Sequence, residues 1–90
     1  MAKFSETVTI VNPLGLHARA ATKLAQLCQQ FSAHIELTQE DKTADACSVL
    51  ALLMLASSKG KTLQVCAEGE DAEQALSAVV DLIKNGFDES

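Results

Sequence analysis

The sequence FSETVTIVNPLGLHARAATKLAQLCQQF, residues 4–31, changes its hydrophobic period once along its length. In its first part the apolar residues Phe4, Val8 and Ile10 occupy even positions, while serine and threonine occupy positions 5, 7 and 9. This alternation predicts a strand with one buried face and one solvent-exposed face. Residues 12–15, NPLG, are turn formers. From Ala18 onward apolar residues recur every three or four positions, which predicts an amphipathic helix over residues 18–30. A strand, a loop and a helix therefore follow one another.

The same two periods continue along the rest of the chain. Apolar residues alternate at 33, 35 and 37 and again at 63, 65 and 67, which predicts two more strands, and a turn at residues 39–42 leads into a short strand between them. Residues 45–56 predict a helix that is apolar almost all round. Asp71 and Gln74 form a capping-box pattern that begins a final helix, and Asn85-Gly86 ends it. The order β-α-β-β-α-β-α predicts an α+β fold in one domain, residues 1–90, with helices on one side of the sheet.

Composition and charge argue against several classes of function. The formal net charge of -5 argues against a nucleic-acid partner, because nucleic-acid binding needs clustered lysine and arginine. Three cysteines without CxxC spacing argue against a zinc site or a disulfide framework, so neither a metal nor a cofactor is expected. No apolar run approaches the roughly 20 residues of a membrane span, and the N-terminus lacks the apolar core of a signal peptide. We therefore expect a cytoplasmic protein with no membrane partner.

The most informative short motif is GLHAR at residues 15–19, where a histidine lies between a turn and the first turn of a helix. The free backbone N–H groups of His17, Ala18 and Arg19, together with the positive end of the helix dipole, predict a phosphate-binding backbone. His17 is expected to act there as a neutral nucleophile, and Arg19 adds a permanent charge and several donors for phosphate oxygens. The two are the candidate catalytic residues. The alternative is that His17 only caps the helix and that Arg19 points into water.

The predicted second helix indicates a partner surface. In a domain of this size with one sheet, a helix lined by valine, leucine and methionine cannot bury every face, so part of residues 49–55 should reach the surface. The alternative is that a loop or a second subunit covers this patch. Ser48 is expected to cap the helix, and a modified Ser48 could block docking without unfolding it. His34 is expected to be a solvated surface residue, and the cysteines to have no more than packing roles.

Four separated motifs carry a resemblance to a known family. They are GLHAR at residues 15–19, CSVL at 47–50, Lys59-Gly60, and AEGED at 67–71. With these motifs the chain resembles the histidine phosphocarrier proteins of the bacterial phosphoenolpyruvate-dependent phosphotransferase system, the HPr family. The acidic balance and the sequence NGFDE at residues 85–89 are similar to the nitrogen-related branch of that family, often called NPr.

The resemblance implies a fold and a function. The implied fold is an open-faced β-sandwich, a four-stranded antiparallel sheet with three helices on one side. The resemblance further implies that His17 accepts phosphate on Nδ1 from enzyme I and passes it to an enzyme IIA protein, that Arg19 stabilises the group in transfer, and that Ser48 matches a regulatory serine. Such a carrier is grouped with phosphotransferases rather than with stand-alone enzymes, and it is most simply a monomer. The implied partner-binding residues are Leu14, Leu16, Ala20, Val49, Leu50 and Leu53.

One departure from the family pattern and two rival functions stay open at this point. The family usually has proline after the arginine, whereas this chain has Ala20, which predicts slower or less specific transfer because the first helical turn is held less rigidly. The first rival is a regulatory module that docks through the second helix whether or not His17 is modified. The second rival is a small-molecule-binding domain that uses the helix N-terminus as an anion site. The sequence does not identify the final phosphoryl acceptor.

Overall fold

The computed structural model describes residues 2–89, which form four strands, three helices and one 3-10 turn. In chain order these are β1 (Lys3–Thr9), α1 (Ala18–Cys28), β2 (His34–Gln39), β3 (Lys42–Asp45), α2 (Val49–Met54), β4 (Thr62–Glu68), α3 (Ala72–Lys84) and the 3-10 turn Gly86–Asp88. The predicted order of strands and helices is therefore confirmed. Across the described range, 2–89, no helix has both the length and the apolar character needed to cross a membrane.

The sheet has the order β1-β4-β2-β3, and every neighbouring pair is antiparallel. Its strands alternate between a buried and an exposed face, as in β4, where Leu63, Val65 and Ala67 are fully buried and Gln64 is exposed. The helices cover the buried face, and α3 packs against β1 and β4. The opposite face stays open, so the α+β open-faced sandwich is confirmed.

The second helix is shorter than the predicted range 45–56. Asp45 ends β3, and the next residue, Ala46, still donates its backbone N–H to the carbonyl of Ile35 in β2 at 2.9 Å. Ser48 then caps α2 by accepting from the backbone N–H of Ala51 at 3.2 Å. At the other end Ala56 takes a left-handed conformation with φ of 53°, which stops the helix. The helix prediction was wrong at both ends because sheet pairing and the cap set its limits.

The start of α3 and the inward side of β1 also differ from the predictions. Asp71 precedes α3 but does not cap it through its side chain, since its carboxylate accepts from the backbone N–H groups of Ser32 and Ala33 at 2.9 and 2.8 Å. The capping box is therefore absent, and Asp71 instead ties the segment before β2 to the start of α3. Phe4 is exposed although it shares the buried parity, because it lies near the end of an edge strand. Gly86, with φ of 64°, supplies the predicted left-handed stop.

One core cluster lies between the sheet and the helices, and the 86–89 segment closes it. Phe87 is the largest of the fully buried side chains, and its backbone carbonyl accepts from Nζ of Lys23 in α1 at 2.8 Å. The sequence predicted a helix stop at Asn85-Gly86 and a likeness to the NPr branch in this segment, but not its burial. Its burial brings the residues that follow it close to the beginning of α1.

Candidate functional site

The loop between β1 and α1 places His17 directly before the helix. Gly15 takes φ of 65°, and a Cβ on it would lie 2.5 Å from the backbone oxygen of Ser57, so only glycine fits without movement. That same oxygen accepts from the backbone N–H of Leu16 at 2.9 Å. The loop is therefore held against the segment that follows α2, and His17 occupies the N-cap position of α1.

The orientation of the His17 ring follows from its two contacts. Nδ1 accepts a hydrogen bond from the backbone N–H of Arg19 at 3.3 Å, and Nε2 contacts a carboxylate oxygen of Glu89. A backbone N–H can only donate, so Nδ1 carries the lone pair, and Nε2 of the neutral ring carries the proton that it donates to Glu89. The nitrogen predicted to react therefore faces the helix N-terminus. His17 does cap the helix, as the alternative interpretation stated, and the cap position also brings Nδ1 to the N-terminus of α1.

Glu89 is the residue of this site that the sequence analysis missed. Its Oε1 accepts from Nδ2 of Asn12 at 3.0 Å, and the same Nδ2 donates to the carbonyl of Gly15 at 2.8 Å. The hydrogen bonds from Asn12 and His17 lower the pKa of the Glu89 carboxyl, so it is ionised at neutral pH. Glu89 and His17 are 72 positions apart, and no periodicity or local motif links residues at such a separation.

A shallow open depression of about 490 Å³ surrounds the ring. Arg19 is exposed at its edge, and Lys23 adds a second positive charge. The backbone N–H groups in the first turn of α1 lack carbonyl partners within the helix and face the same end. Acidic residues line the rest of the depression, so its positive charge is concentrated on the α1 side. The lining residues are Leu14, His17, Arg19, Lys23, Asp88 and Glu89.

The expected partner-binding residues fall into two groups. Leu14 and Leu50 are exposed at 71% and 70%, Leu53 is exposed, and Val49 is half-buried, so these four can reach a partner. Leu16 and Ala20 are buried, with exposed fractions of 4% and 0%. Their expected role as contact residues is corrected, because both side chains point into the core. Met54, which was not among the chosen contact residues, is exposed at 71%.

Two other residues have the structural roles expected of them. Ser48 is the N-cap of α2, as predicted, and its side chain is half-buried. His34 lies on the open face of the sheet, where a hydrogen bond with Glu36 raises its pKa. Neither residue is among those that line the depression around His17. Modification of Ser48 stays a prediction.

Comparison with known proteins shows the family to which the chain belongs. Residues 4–85 match the sequence model of a family described as PTS HPr component phosphorylation site. The chain belongs to the HPr family. Among HPr-family relatives, the phosphocarrier protein NPr of Shewanella violacea is 51% identical over 90 residues, covering 100% of this chain and 99% of its own length. The NPr of Escherichia coli K12 is 51% identical over 85 residues, covering 93% of this chain and 94% of its own length.

A solved structure of the HPr family agrees with the fold. HPr-C-His from Thermoanaerobacter tengcongensis superposes with a TM-score of 0.92 at 37% identity, covering 97% of this chain and 98% of its own. The expected likeness to the branch named NPr is confirmed by the two NPr relatives, whose identity to this chain is higher than that of the solved HPr. The chain is thus a phosphocarrier of the phosphotransferase-system type.

Proposed function

We propose that this phosphocarrier holds its phosphoryl group on Nδ1 of His17, accepts it from phosphorylated enzyme I and passes it to an enzyme IIA protein. The placement of Nδ1 carries the proposal, since this nitrogen has a lone pair and faces the N-terminus of α1 in an open depression. We further propose a regulatory, nitrogen-related phosphotransferase chain in the cytoplasm. There its free cysteines, Cys28, Cys47 and Cys66, stay reduced.

The transfer step needs little covalent chemistry from the protein. The Nδ1 lone pair forms a bond to phosphorus while the bond between phosphorus and the donor atom breaks, and the donor keeps that electron pair. No proton leaves Nδ1, because in this tautomer it carries none. Phosphoryl transfer of this kind depends on positioning and charge stabilisation. The first-turn amides and the guanidinium of Arg19 supply both, and the amide of Arg19 that now contacts Nδ1 is placed to donate to a phosphoryl oxygen.

The exposed side of α2 supports a role in docking. Leu50 and Met54 are large apolar side chains that are mostly exposed, and such residues on a small protein mark a partner surface. Leucine and methionine side chains repack easily, which suits successive binding to a donor and an acceptor. This observation also favours a second candidate function, a regulatory module that docks without accepting phosphate. Ser48 is proposed as a regulatory position because a phosphate on it would add negative charge beside this surface.

Phosphorylation by enzyme I separates these functions. The chain is incubated with phosphoenolpyruvate and enzyme I, and the intact mass is measured. We expect one added phosphoryl group that is acid-labile and alkali-stable, and we expect it to be absent in His17→Ala and present in His34→Ala. Arg19→Ala should slow its appearance by at least about tenfold, since it removes a charge that acts on the group in transfer. Binding to enzyme I without a mass change would support the docking module instead.

A further inference from the structure

We infer that Asn12 and Glu89 are positioning residues for phosphoryl transfer: together they fix the His17 ring with its proton on Nε2 and its Nδ1 lone pair toward α1. This inference rests on the proposed function for the step it assists. The two residues are called the positioning pair below. Neither has to touch the phosphoryl group, because Glu89 contacts Nε2, which is not the reacting nitrogen, and Asn12 contacts Glu89.

The carboxylate of Glu89 sets the tautomer of the ring. An ionised carboxylate only accepts hydrogen bonds, so its contact with Nε2 requires a proton on that nitrogen. The backbone N–H of Arg19 can only donate, so its contact requires a lone pair on Nδ1. The ring is therefore held at both nitrogens by groups of opposite hydrogen-bonding character. Moving the proton from Nε2 to Nδ1 would set it against the N–H of Arg19 and would set the Nε2 lone pair against the carboxylate. Glu89 selects the tautomer in which Nδ1 is nucleophilic.

Asn12 fixes the carboxylate in turn. Its side chain is buried, with 3% exposure, and both contacts of its Nδ2 are to acceptors, the carbonyl of Gly15 and Oε1 of Glu89. The amide orientation is thus determined, because Oδ1 in the place of Nδ2 would face two oxygens. Within residues 2–89 its Oδ1 is buried without a hydrogen-bond partner. An unpaired buried oxygen is unfavourable for stability, which is expected where an arrangement serves a function.

The segment that carries Glu89 is itself anchored. The Phe87 side chain is fully buried, and the Phe87 carbonyl accepts from Lys23 at 2.8 Å. The carboxylate therefore reaches the ring from an anchored segment, so the contact has to order the Glu89 side chain but not the backbone that carries it. Through its contacts with the Gly15 carbonyl and Glu89, Asn12 links the loop before α1 to this segment.

The positioning pair also affects the charge that develops during transfer. Once Nδ1 bonds to phosphorus while Nε2 keeps its proton, the ring carries a positive charge. The carboxylate at Nε2 compensates that charge without lying next to the phosphoryl oxygens on Nδ1. The effect belongs to the transition state and the product more than to the free carrier, so it should change kcat more than KM.

The test combines nitrogen-15 NMR of the histidine rings with transfer kinetics. The variants are Glu89→Ala, Glu89→Gln, Asn12→Ala and, as a control that removes one exposed carboxylate elsewhere, Glu70→Ala. In wild type and Glu70→Ala we expect the neutral His17 ring to be protonated on Nε2. In Glu89→Ala we expect both tautomers, together with a roughly tenfold lower kcat for phosphoryl acceptance from enzyme I and a KM within about twofold. Glu89→Gln keeps one acceptor oxygen where the carboxylate uses two, so it should recover the tautomer and the rate only in part.

Several results would overturn the inference. An unchanged Nε2 tautomer in Glu89→Ala would show that the carboxylate does not set the ring, and a kcat equal to that of Glu70→Ala would show that transfer does not need it. Asn12→Ala should change the tautomer ratio in the same direction as Glu89→Ala, and a ratio equal to wild type would remove Asn12 from the pair. The NMR signature is read on the free protein. A wild-type chain that accepts no phosphate would therefore refute the proposed function, while the tautomer ratios still decide whether the pair orients the ring.

Discussion

At the scale of single residues, Gly15 shows how the backbone supports the site. It takes a positive φ, and a side chain there would meet the backbone of Ser57 and Ser58 at 2.5 and 2.8 Å. Gly60 also takes a positive φ, 92°, but a Cβ on it meets nothing within 4 Å. We predict that Gly60→Ala lowers the free energy of unfolding by about 1 kcal/mol, the cost of the left-handed conformation. Gly15→Ala adds a clash and should cost roughly 3 kcal/mol. Urea unfolding measures both, and equal losses would mean that the clash relaxes freely.

Cys28 gives a prediction on pH. Burial, with smaller effects of Cys47 and Asp45, raises the pKa of the Cys28 thiol from 9.0 to about 12. The folded state therefore holds this proton more tightly than the unfolded state. Its contribution to stability is complete below pH 9.0 and is lost as the pH rises toward 12, by at most about 1.4 kcal/mol per pH unit. The wild type should therefore lose unfolding free energy over that window relative to Cys28→Ala, which has no thiol there, and a constant difference between the two would contradict this.

The site residues differ in how far the sequence could predict them. His17 and Arg19 lie in one local motif, so turn and helix signals were enough to place them. Glu89 reaches the same site only through the tertiary fold, because contacts across 72 positions leave no pattern in the sequence. Leu16 and Ala20 were expected at a partner surface because the resemblance to the family implied it, but helix geometry turns Ala20 inward and the loop does the same for Leu16.

At the scale of elements, α2 shows why helix limits are hard to predict. Apolar residues from Ala46 onward look like one continuous helix, yet Ala46 still pairs with β2 and Ser48 supplies a strong start. Periodicity records which face is buried, and it does not record where sheet pairing ends. Three strands, β1, β2 and β4, were predicted more closely than this helix because each has an alternating pattern that only one register can bury. The predicted capping box at Asp71 is absent for a related reason, because its carboxylate accepts hydrogen bonds from the segment before β2 instead of from α3.

The cap of α2 yields a prediction for this element. Ser48→Ala removes the acceptor for the N–H of Ala51 and should lower the free energy of unfolding by about 1 kcal/mol. Ser48→Asp keeps an acceptor and adds a negative charge at the positive end of the helix, so it should stay close to wild type. Ser58→Ala, at an exposed position after the helix, is the control and should change stability by less than about 0.5 kcal/mol. A loss in Ser48→Ala no larger than the control's would mean that the cap contributes nothing.

At the scale of the whole molecule, hydrophobic period and element order were enough to predict an open sheet with helices on one face. They did not predict that the segment after the last helix packs into the core. The sheet order puts β1 at one edge and β3 at the other, and the 86–89 segment then packs Phe87 into the core beside α1 and α3. Three residues in that 3-10 turn have positive φ, namely Gly86, Phe87 and Asp88. Packing against the rest of the fold holds this conformation, so local sequence propensities could not predict it.

Phe87 therefore provides the whole-molecule prediction. Phe87→Ala removes the largest fully buried side chain and should lower the free energy of unfolding by about 3 kcal/mol or more, because the cavity left behind cannot fill completely. Phe4→Ala is the matched control, since Phe4 is exposed, and it should cost less than about 1 kcal/mol. The anchored segment also carries Glu89, so Phe87→Ala should in addition disturb the nitrogen-15 signals of His17, whereas Phe4→Ala should leave them unchanged. If Phe87→Ala lost stability but kept the wild-type His17 signals, Glu89 would hold its place without the anchor.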